Sequence, residues 1–459
     1  MPIEIKVTPP GITISQGRTF MVTDQRGEIA ANTDKGVYAF DTRFVSFYRI
    51  YIDHQPWKHL NSSQLSFDAA RFHLTNPKLS TVGGDFGAHT IGLTIHRAVG
   101  RGIHEDFDIV NYNRKKVRFV FEIMLRADFA DLFEVKEQHI LLRGRMQTSW
   151  DGQKACLRTS YTYQDFHRAL AYQIRNTTAP VNYANGTIFF DIELEPGQKW
   201  HTCGEIILEH GQQVESPLYT PCGLARTNAS AGTVTLSVEG EPMRNFDELQ
   251  EYWHARCTRI YTPNEHVYRM YCQATEDMGA LRIYDLDVSD EAWVPAAGVP
   301  WFVTLFGRDS LIVSLQNMFV YPEFARGALQ RLAEYQATEW DDWRDAQPGK
   351  ILHEVRYGEL AHFHLIPFTP YYGTADATIL YLLVLSEIYH WTGDIRLLQE
   401  YRKVAQECLH WIDSIGDLDG DGFQEYKTFS PAGYENMGWK DSGDAVVYAD
   451  GSQVRQPKS

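Results

Sequence analysis

Apolar and polar residues alternate with a period of two through the first half of the chain. Phe119 and Phe121 share one face of a predicted strand, and Ile188 and Phe190 share one face of another. Glycine-rich turns separate such runs at short intervals, which favours an antiparallel sandwich over a parallel sheet with crossover helices. We therefore predict that residues 1–240 form an antiparallel β-sandwich with these four side chains inside.

A linker over residues 241–263 is predicted to lead into a helical domain over 264–459. An apolar stripe with helical spacing marks its first helix: Val267, Tyr271, Ala274, Met278 and Leu281. A later helix is entered through Pro322 and carries its own stripe. Segment 376–391 is apolar nearly all round and predicts a buried helix, whereas segment 394–414 has a polar face. This alternation of buried and half-exposed helices suggests two concentric layers of helical hairpins.

Composition and charge narrow the function classes. The chain has 459 residues, of which 44% are hydrophobic and 22% charged, so it can build two or three sizeable cores. A net charge of −16 argues against nucleic acid and anionic membranes as partners. The longest apolar run falls far short of the ~20 residues of a membrane span, and the start lacks a signal-peptide pattern, so we expect a cytoplasmic protein. The scattered cysteines signal neither a zinc site nor a disulfide framework.

An unusually long connection over residues 339–373 is crowded with aromatic, acidic and basic side chains. Ordered loops of this length are more often functional than idle. Aromatic rings stack on the C–H face of a sugar, while carboxylates and amides bind its hydroxyls. The loop therefore predicts a carbohydrate as the partner.

Three short segments carry candidate chemistry. Arg308 and Asp309 stand at the start of a predicted helix, and Asp376 repeats this placement at the next buried helix. At the first place the alternative is that Asp309 caps the helix and Arg308 lies in solvent. At the second place the alternative is that Asp376 caps the helix and the preceding Tyr371 and Tyr372 are core residues. Asp441 lies in a glycine-rich loop, where an aspartate that only forms a turn is the alternative.

Several motifs, taken in order, resemble a known family. Residues 17–29 and 36–50 resemble the N-terminal β domain of bacterial and archaeal-type glycogen debranching proteins, and residues 300–445 resemble the start of their amylo-α-1,6-glucosidase domain. The matching motifs are FGRDS, GKILHE, TPYYGTADAT, DLDGDGFQEY and GWKDSGDA. The resemblance implies a β-sandwich followed by a partial (α/α)6 toroid, the six-hairpin fold of glucoamylases and trehalases.

The resemblance also implies roles for individual residues. It makes Asp441 the proton donor, whose pKa would have to be raised by burial among aromatic rings such as those of Tyr434 and Trp439. It makes Arg308 and Asp309 ligands of the sugar at the cleaved end. The full set of expected substrate-binding residues is Arg308, Asp309, Glu354, Tyr372, Asp376 and Trp439.

Glycoside hydrolysis needs a second carboxylate, which activates water in an inverting enzyme. In the family this base lies well downstream of the Asp441 loop, so this chain is expected to lack it and to be poorly active alone. Glu354 or Asp345 would be the first candidates if it were active. No cofactor is required. Two alternatives stay open: an inactive carbohydrate-binding or assembly protein, and a hydrolase of small glucosyl or mannosyl solutes.

A metal site is a further expectation. Asp417, Asp419 and Asp421 alternate before a glycine, as at the front of a calcium-binding loop. An EF-hand is excluded because its twelfth position would be Thr428. A single structural calcium site that uses Glu425, or a hydrogen-bonded Asx turn without metal, are the two interpretations left.

Overall fold

A computed structural model gives the fold as two compact units, Met1–Val234 and Thr235–Ser459. Each unit is considered by itself below. The residues that the structure describes are 11–81, 84–218, 237–238, 241–242, 246–440, 445–454 and 456.

The described residues of the first unit form mainly strands, with one short helix among them, α1 (Leu132–Glu137). Its strands are β1 (Ile12–Gln16), β2 (Thr19–Thr23), β3 (Gly36–Ala39), β4 (Thr42–Val45), β5 (Phe47–Ile52), β6 (Gln55–Pro56), β7 (Lys58–Ser66), β8 (Ala69–Thr75), β9 (Leu79–Thr81), β10 (Gly84–Phe86), β11 (Ile91–Gly100), β12 (Gly102–Asn111), β13 (Val117–Arg126), β14 (Arg145–Asp151), β15 (Cys156–Tyr163), β16 (Phe166–Arg175), β17 (Asn182–Ala184), β18 (Thr187–Leu194), β19 (Lys199–His210) and β20 (Gln213–Glu215).

These strands pair in antiparallel fashion. A nine-stranded sheet has the order β14-β15-β16-β19-β12-β11-β8-β7, with β20 joined to β19, and a five-stranded sheet has the order β17-β18-β13-β5-β6. A four-stranded sheet runs β1-β2-β3-β4, and β9 pairs with β10. The first unit is therefore an antiparallel β-rich unit, as the alternation predicted.

The two largest sheets face each other through aromatic side chains. The ring of Phe121 in β13 lies 5.6 Å from that of Phe107 in β12 and 5.8 Å from that of Trp200 in β19. Phe190 in β18 also contacts Trp200, with ring centroids 5.2 Å apart. Phe119, Phe121, Ile188 and Phe190 are all buried, as predicted. Facing sheets with interdigitated side chains are the packing expected of a sandwich.

A charged pair that the alternation pattern did not predict lies inside this unit. Arg97 donates to Glu105 over 2.6 Å, and both side chains are fully buried. The Glu105 carboxylate also accepts hydrogen bonds from the hydroxyls of Tyr48 and Tyr172. Burial raises the pKa of both tyrosines, so they remain donors to the carboxylate. These partners offset the large cost of removing the carboxylate from water.

One cysteine departs from the prediction. Cys203 in β19 is disulfide-bonded, although the cysteine spacing signalled no disulfide. A disulfide requires two Cα atoms within about 7 Å in space, which spacing along the chain does not reveal.

The second unit is mainly helical. Its elements are β21 (Ser237–Val238), β22 (Glu241–Pro242), α2 (Phe246–Arg256), α3 (Glu265–Ala280), α4 (Gly307–Gln316), α5 (Glu323–Glu334), α6 (Glu359–His362), α7 (Ala377–Thr392), α8 (Ile395–Glu400) and α9 (Arg402–His410), with short 3₁₀ turns at Tyr284–Leu286 and Asp342–Arg344 and a π-helical turn at Trp411–Ile415. Within the described residues, no helix combines the length and apolar composition needed to cross a membrane.

Helix α2 occupies part of the predicted linker over 241–263. It forms there because Trp253 is buried against Trp293 and Phe324 in an aromatic cluster. The indole N–H of Trp253 also donates to the carbonyl of Thr275 in α3 over 3.1 Å. This stretch is therefore packed helix.

Two helix predictions, those for 376–391 and 394–414, need correction, and the helix predicted from Val267 onward is present but buries a face that its stripe did not mark. The apolar stripe of α3 is not its buried face, since α3 buries Thr275 and Gly279 while Val267 is 48% exposed. Helix α7 packs against α4, α5 and α9 on one side, which leaves Leu383 49% exposed on another. The helix predicted over 394–414 is interrupted at Tyr401 into α8 and α9. Apolar composition alone does not identify which side of a helix its neighbours cover.

Substitutions on the two faces of the β13–β18 strand pair should differ in their effect on the free energy of unfolding. Phe121→Ala removes a fully buried ring at the contact between sheets, and we expect it to destabilise the first unit by about 3–5 kcal/mol. Phe189→Ala, on the opposite, half-buried face of β18, is the control and should cost about 1 kcal/mol. Denaturant unfolding of the full chain measures both, and equal losses would contradict the assignment of faces.

Candidate functional site

The start of α4 packs against the long loop over residues 339–373. Phe306 and Glu354 form an isolated backbone bridge, and the amide of Gly307 donates to the carbonyl of His353 over 2.9 Å. A Cβ atom at Gly307 would lie only 1.9 Å from the carbonyl oxygen of Leu352. Glycine is therefore required here, because it allows the helix to begin directly beside the loop.

Arg308 is the next residue, and its guanidinium connects three distant segments. Its Nε donates to Asp376 Oδ2 over 2.6 Å, and its two terminal nitrogens donate to the carbonyls of Gly438 and Trp439 over 2.9 and 3.1 Å. The Arg308 side chain is only 6% exposed. The alternative of a solvated arginine beside a helix cap is therefore wrong.

Asp376 immediately precedes α7, but its carboxylate does not cap that helix. It accepts from Arg308 through one oxygen and from the Thr374 hydroxyl through the other, over 2.7 Å. Its side chain is 30% exposed, so part of the carboxylate faces solvent. The cap interpretation fails here too. Asp376 is a paired carboxylate that can still reach a ligand.

The remaining expected residues around this pair differ in their surroundings. Asp309 lies half-buried in the first turn of α4. The side chain of Trp439 is largely in solvent at 78% exposed, although its backbone carbonyl binds Arg308. Asp441, the expected proton donor, lies outside the described residues. The structure thus brings Arg308 and Asp376 into contact beside the loop that leads to Asp441.

Glu354 is held inside the unit. Its carboxylate accepts from Arg356 over 2.6 Å and from the Tyr434 hydroxyl over 2.9 Å, and it is 1% exposed. Arg356 in turn donates to the carbonyl of Trp301. A carboxylate with both oxygens bound and no access to water is a poor general base. The structure therefore disfavours Glu354 as the base and gives it a scaffold position next to Phe306.

Both carboxylate oxygens of Asp345 also accept hydrogen bonds. Its side chain accepts from the Tyr371 hydroxyl, the Thr428 hydroxyl and the backbone amides of Phe429 and Ser430. Its exposure is 2%. Burial, followed by the nearby Asp345 charge, raises the pKa of Tyr371 well above its ordinary value, so Tyr371 remains a donor. Asp345 is therefore a poor base and ties segment 428–430 to the long loop.

A cluster of aromatic rings packs between the carboxylates of Glu354 and Asp345. Tyr434 stacks on Phe368 with centroids 5.4 Å apart and meets Tyr371 edge to face at 5.5 Å. His353 lies edge-on to both tyrosines. The sequence indicated this group only through the aromatic crowding of the loop. Its pairing with Glu354 and Asp345 was not predicted.

Tyr372, expected to bind substrate, is turned away into the interior. It is 5% exposed, and its hydroxyl donates to the Tyr335 carbonyl over 2.7 Å. Burial raises its pKa to about 12. With its ring buried and its hydroxyl proton donated to Tyr335, Tyr372 supports the end of α5 in this arrangement.

Comparison with protein families gives one match, which lies in the first unit. A family described as the N-terminal domain of (some) glycogen debranching enzymes matches residues 14–205, which span β1 to β19. These residues of the first unit are therefore similar to the debranching-enzyme N-domain family. A search of curated proteins gave no match.

Solved structures resemble the chain at low identity. One, from the human microbiome and provisionally named kojibiose phosphorylase, has a TM-score of 0.54 and 8% identity, and the match covers 89% of this chain. This chain spans 57% of the length of that protein, and the likeness concerns the fold alone. A provisionally named aldose 1-epimerase from Escherichia coli K12 shares 10% identity, with the match covering 44% of this chain and 99% of the other at a TM-score of 0.26. That score is too low to support an argument. The residues that match the debranching-enzyme N-domain family are thus followed in this chain by a helical unit that carries the Arg308 site.

The Arg308 contacts can be tested by a charge-preserving change. Arg308→Lys keeps a cation but loses the planar fork that reaches both carbonyls, so residues 434–440 should exchange their amide hydrogens at least about tenfold faster. Arg331→Lys is the matched control, because Arg331 also donates to two carbonyls but at another place. Mass spectrometry of hydrogen exchange measures both. Unchanged exchange over 434–440 would contradict the anchoring role.

The buried Lys350 beside Asp345 predicts a pH dependence of stability. Burial lowers the pKa of Lys350 from 10.5 to about 8, against a smaller opposing effect of Asp345. The folded chain releases this proton near pH 8 while the unfolded chain keeps it until pH 10.5, so stability rises with pH between these values. From pH 7 to 9.5, the wild-type chain should gain about 2 kcal/mol relative to Lys350→Met, which has no such group. Denaturant unfolding at each pH measures this difference, and a constant difference would disprove it.

Proposed function

We propose that the protein is a glycoside hydrolase that acts on α-glucosidic bonds, with the α-1,6 branch points of glycogen-like glucans as its substrate. The observation that carries the proposal is the buried Arg308, which joins the start of α4, Asp376 and the backbone that leads to Asp441. One cation thereby joins Asp376, which is expected to bind the sugar, to the backbone of Gly438 and Trp439, which leads to Asp441, the expected proton donor. The debranching-enzyme N-domain supports a role in glucan chemistry.

The groups around Arg308 suit a neutral sugar. Asp376 keeps an exposed part of its carboxylate, which can accept from sugar hydroxyls while Arg308 holds it in place. The Trp439 indole is exposed and offers a flat apolar face for the C–H side of a sugar ring. Asp441, two residues further on, is the proposed general acid, and a bound sugar would exclude water from it and favour its protonated form.

The proposed fold of the whole is a β-sandwich followed by a partial (α/α)6 toroid. The starts of α4 and α7 lie together at the Arg308–Asp376 pair, as expected when helix starts gather at one end of a ring of hairpins. The side of α7 that carries Ile379 and Leu383 is exposed, as it would be where a further helix belongs. These features support the toroid as a proposal.

The proposed mechanism is acid-assisted cleavage with inversion. Asp441 would donate a proton to the leaving oxygen as the bond to the anomeric carbon breaks, and water would attack from the opposite side. We assign the base that activates this water to neither Glu354 nor Asp345, because both carboxylates are saturated. Without such a base, hydrolysis should be slower by about 10²–10⁴-fold, while binding of the sugar is retained.

Removal of the acid is the direct test. Asp441→Asn should lower hydrolysis of an α-1,6-branched glucan by at least about 100-fold while the affinity for the glucan changes little. Asp450→Asn, an exposed aspartate in a nearby turn, is the matched control and should leave both quantities unchanged.

Three outcomes would contradict the proposal. Measurable hydrolysis that is equal in the wild type and in Asp441→Asn would remove Asp441 from the mechanism. Glucan binding without cleavage of any glucoside, both by this chain and by a version extended at its C-terminus, would favour a binding or assembly protein. A cleavage that requires inorganic phosphate and yields a sugar phosphate would indicate phosphorolysis, whereas a hydrolase releases the free sugar without phosphate.

A further inference from the structure

A tight acidic turn lies between the π-helical turn at Trp411–Ile415 and Glu425. The Asp417 carboxylate accepts from the backbone amides of Gly420 and Gly422 over 2.7 and 3.0 Å, so the turn is hydrogen-bonded through this side chain. Both glycines adopt left-handed backbone angles, with φ of 80° and 87°, which other residues rarely adopt. The turn thus brings alternate side chains to one side without excluding a bound ion.

Glu425 differs from the aspartates because it is buried. It is 6% exposed, and its Oε2 accepts from the backbone amide of Leu418 over 2.6 Å. Its other oxygen, Oε1, is buried and has no hydrogen-bond partner. A buried carboxylate oxygen without a partner costs free energy, unless a ligand satisfies it. This oxygen is the second observation, independent of the acidic turn, that points to a bound group.

Four carboxylates converge at this place. Asp417, Asp419, Asp421 and Glu425 each offer one oxygen, and these four oxygens lie within 4.8 Å of one another. Like charges at such distances repel strongly, and the repulsion is greatest where one of them is removed from water. A cation between the four oxygens would reverse the sign of this interaction.

We propose that Asp417, Asp419, Asp421 and Glu425 bind one calcium ion. All four ligands are hard oxygen donors, and no histidine or cysteine belongs to the group, which disfavours zinc and other thiolate- or imidazole-binding metals. Calcium accepts six to eight oxygens in flexible geometry, so backbone carbonyls and water can complete its shell. Magnesium demands a near-ideal octahedron and is less suited to carboxylates gathered from a nine-residue turn.

The proposed ion would also stiffen the neighbouring site. Gln424, next to Glu425, donates its side-chain amide to the carbonyl of Ala375 over 3.0 Å. The amide of Ala375 donates to the carbonyl of Met437 over 2.9 Å. Ala375 adjoins Asp376, so a metal-bound turn restrains both the residue that pairs with Arg308 and the loop that leads to Asp441. The ion has a positioning role, and its binding does not depend on the proposed hydrolase activity.

Titration of the metal-free chain with calcium tests the proposal. After removal of metals with a chelator, calorimetry with calcium chloride should show one site per chain, and the unfolding temperature should rise with calcium and fall again with the chelator. Asp419→Asn, at an exposed ligand, should weaken the affinity at least about tenfold, and Glu425→Gln should do the same. Asp413→Asn, an exposed acid just before the turn, should bind calcium like the wild type.

Each contrary result would overturn the proposal. These results are the absence of both binding heat and a change in unfolding temperature, and full calcium affinity in both the Asp419→Asn and Glu425→Gln variants. Tighter binding of magnesium than of calcium would overturn the choice of ion. All these measurements use binding and stability, so they remain informative if the protein proves to have no hydrolase activity.

Discussion

The helical unit depends on the burial of one guanidinium. A cation removed from water is costly unless each donor has an acceptor, and the carboxylate of Asp376 and the two carbonyls supply acceptors to Arg308 from segments 68 and 130 or more residues away. The starts of α4 and α7 and the path of the chain past Met437 must therefore be correct together. Misplacing any one of them would leave a charged group without its partner.

Two buried carboxylates in the same unit hold neighbouring segments in place. Hydrogen-bond donors occupy both oxygens of each, so these carboxylates are not candidates for catalysis. Asp345 accepts from two hydroxyls and two backbone amides, and Glu354 accepts from an arginine and a tyrosine. Neither has an oxygen that a substrate or a water can approach. Asp376 is paired as well, but about a third of its side chain faces solvent. The solvent exposure of a carboxylate, rather than its charge alone, therefore distinguishes the structural residues Asp345 and Glu354 from the candidate site residue Asp376.

The sequence predicted those features that one segment determines by itself. Strands over Phe119–Phe121 and Ile188–Phe190 were predicted because a half-buried strand shows alternation, and α5 was predicted from its own stripe. The full burial predicted for α7 was wrong, and the buried face of α3 was not evident from its stripe, because burial depends on which neighbours pack there. In the site, motif order singled out Arg308 and Asp376. Their contact with each other, and the inward turn of Tyr372, follow from pairings between distant segments that spacing does not show.

The anchor of the loop before Asp441 uses only main-chain atoms of Gly438 and Trp439. A Cβ atom at Gly438 would meet no other atom within 4 Å, and the Trp439 ring extends into solvent. Related proteins could therefore carry other residues at these two positions and still hold the loop on the same arginine. A different residue at either position would then say little about whether the anchor is retained, because Arg308 binds the backbone carbonyls and not the side chains.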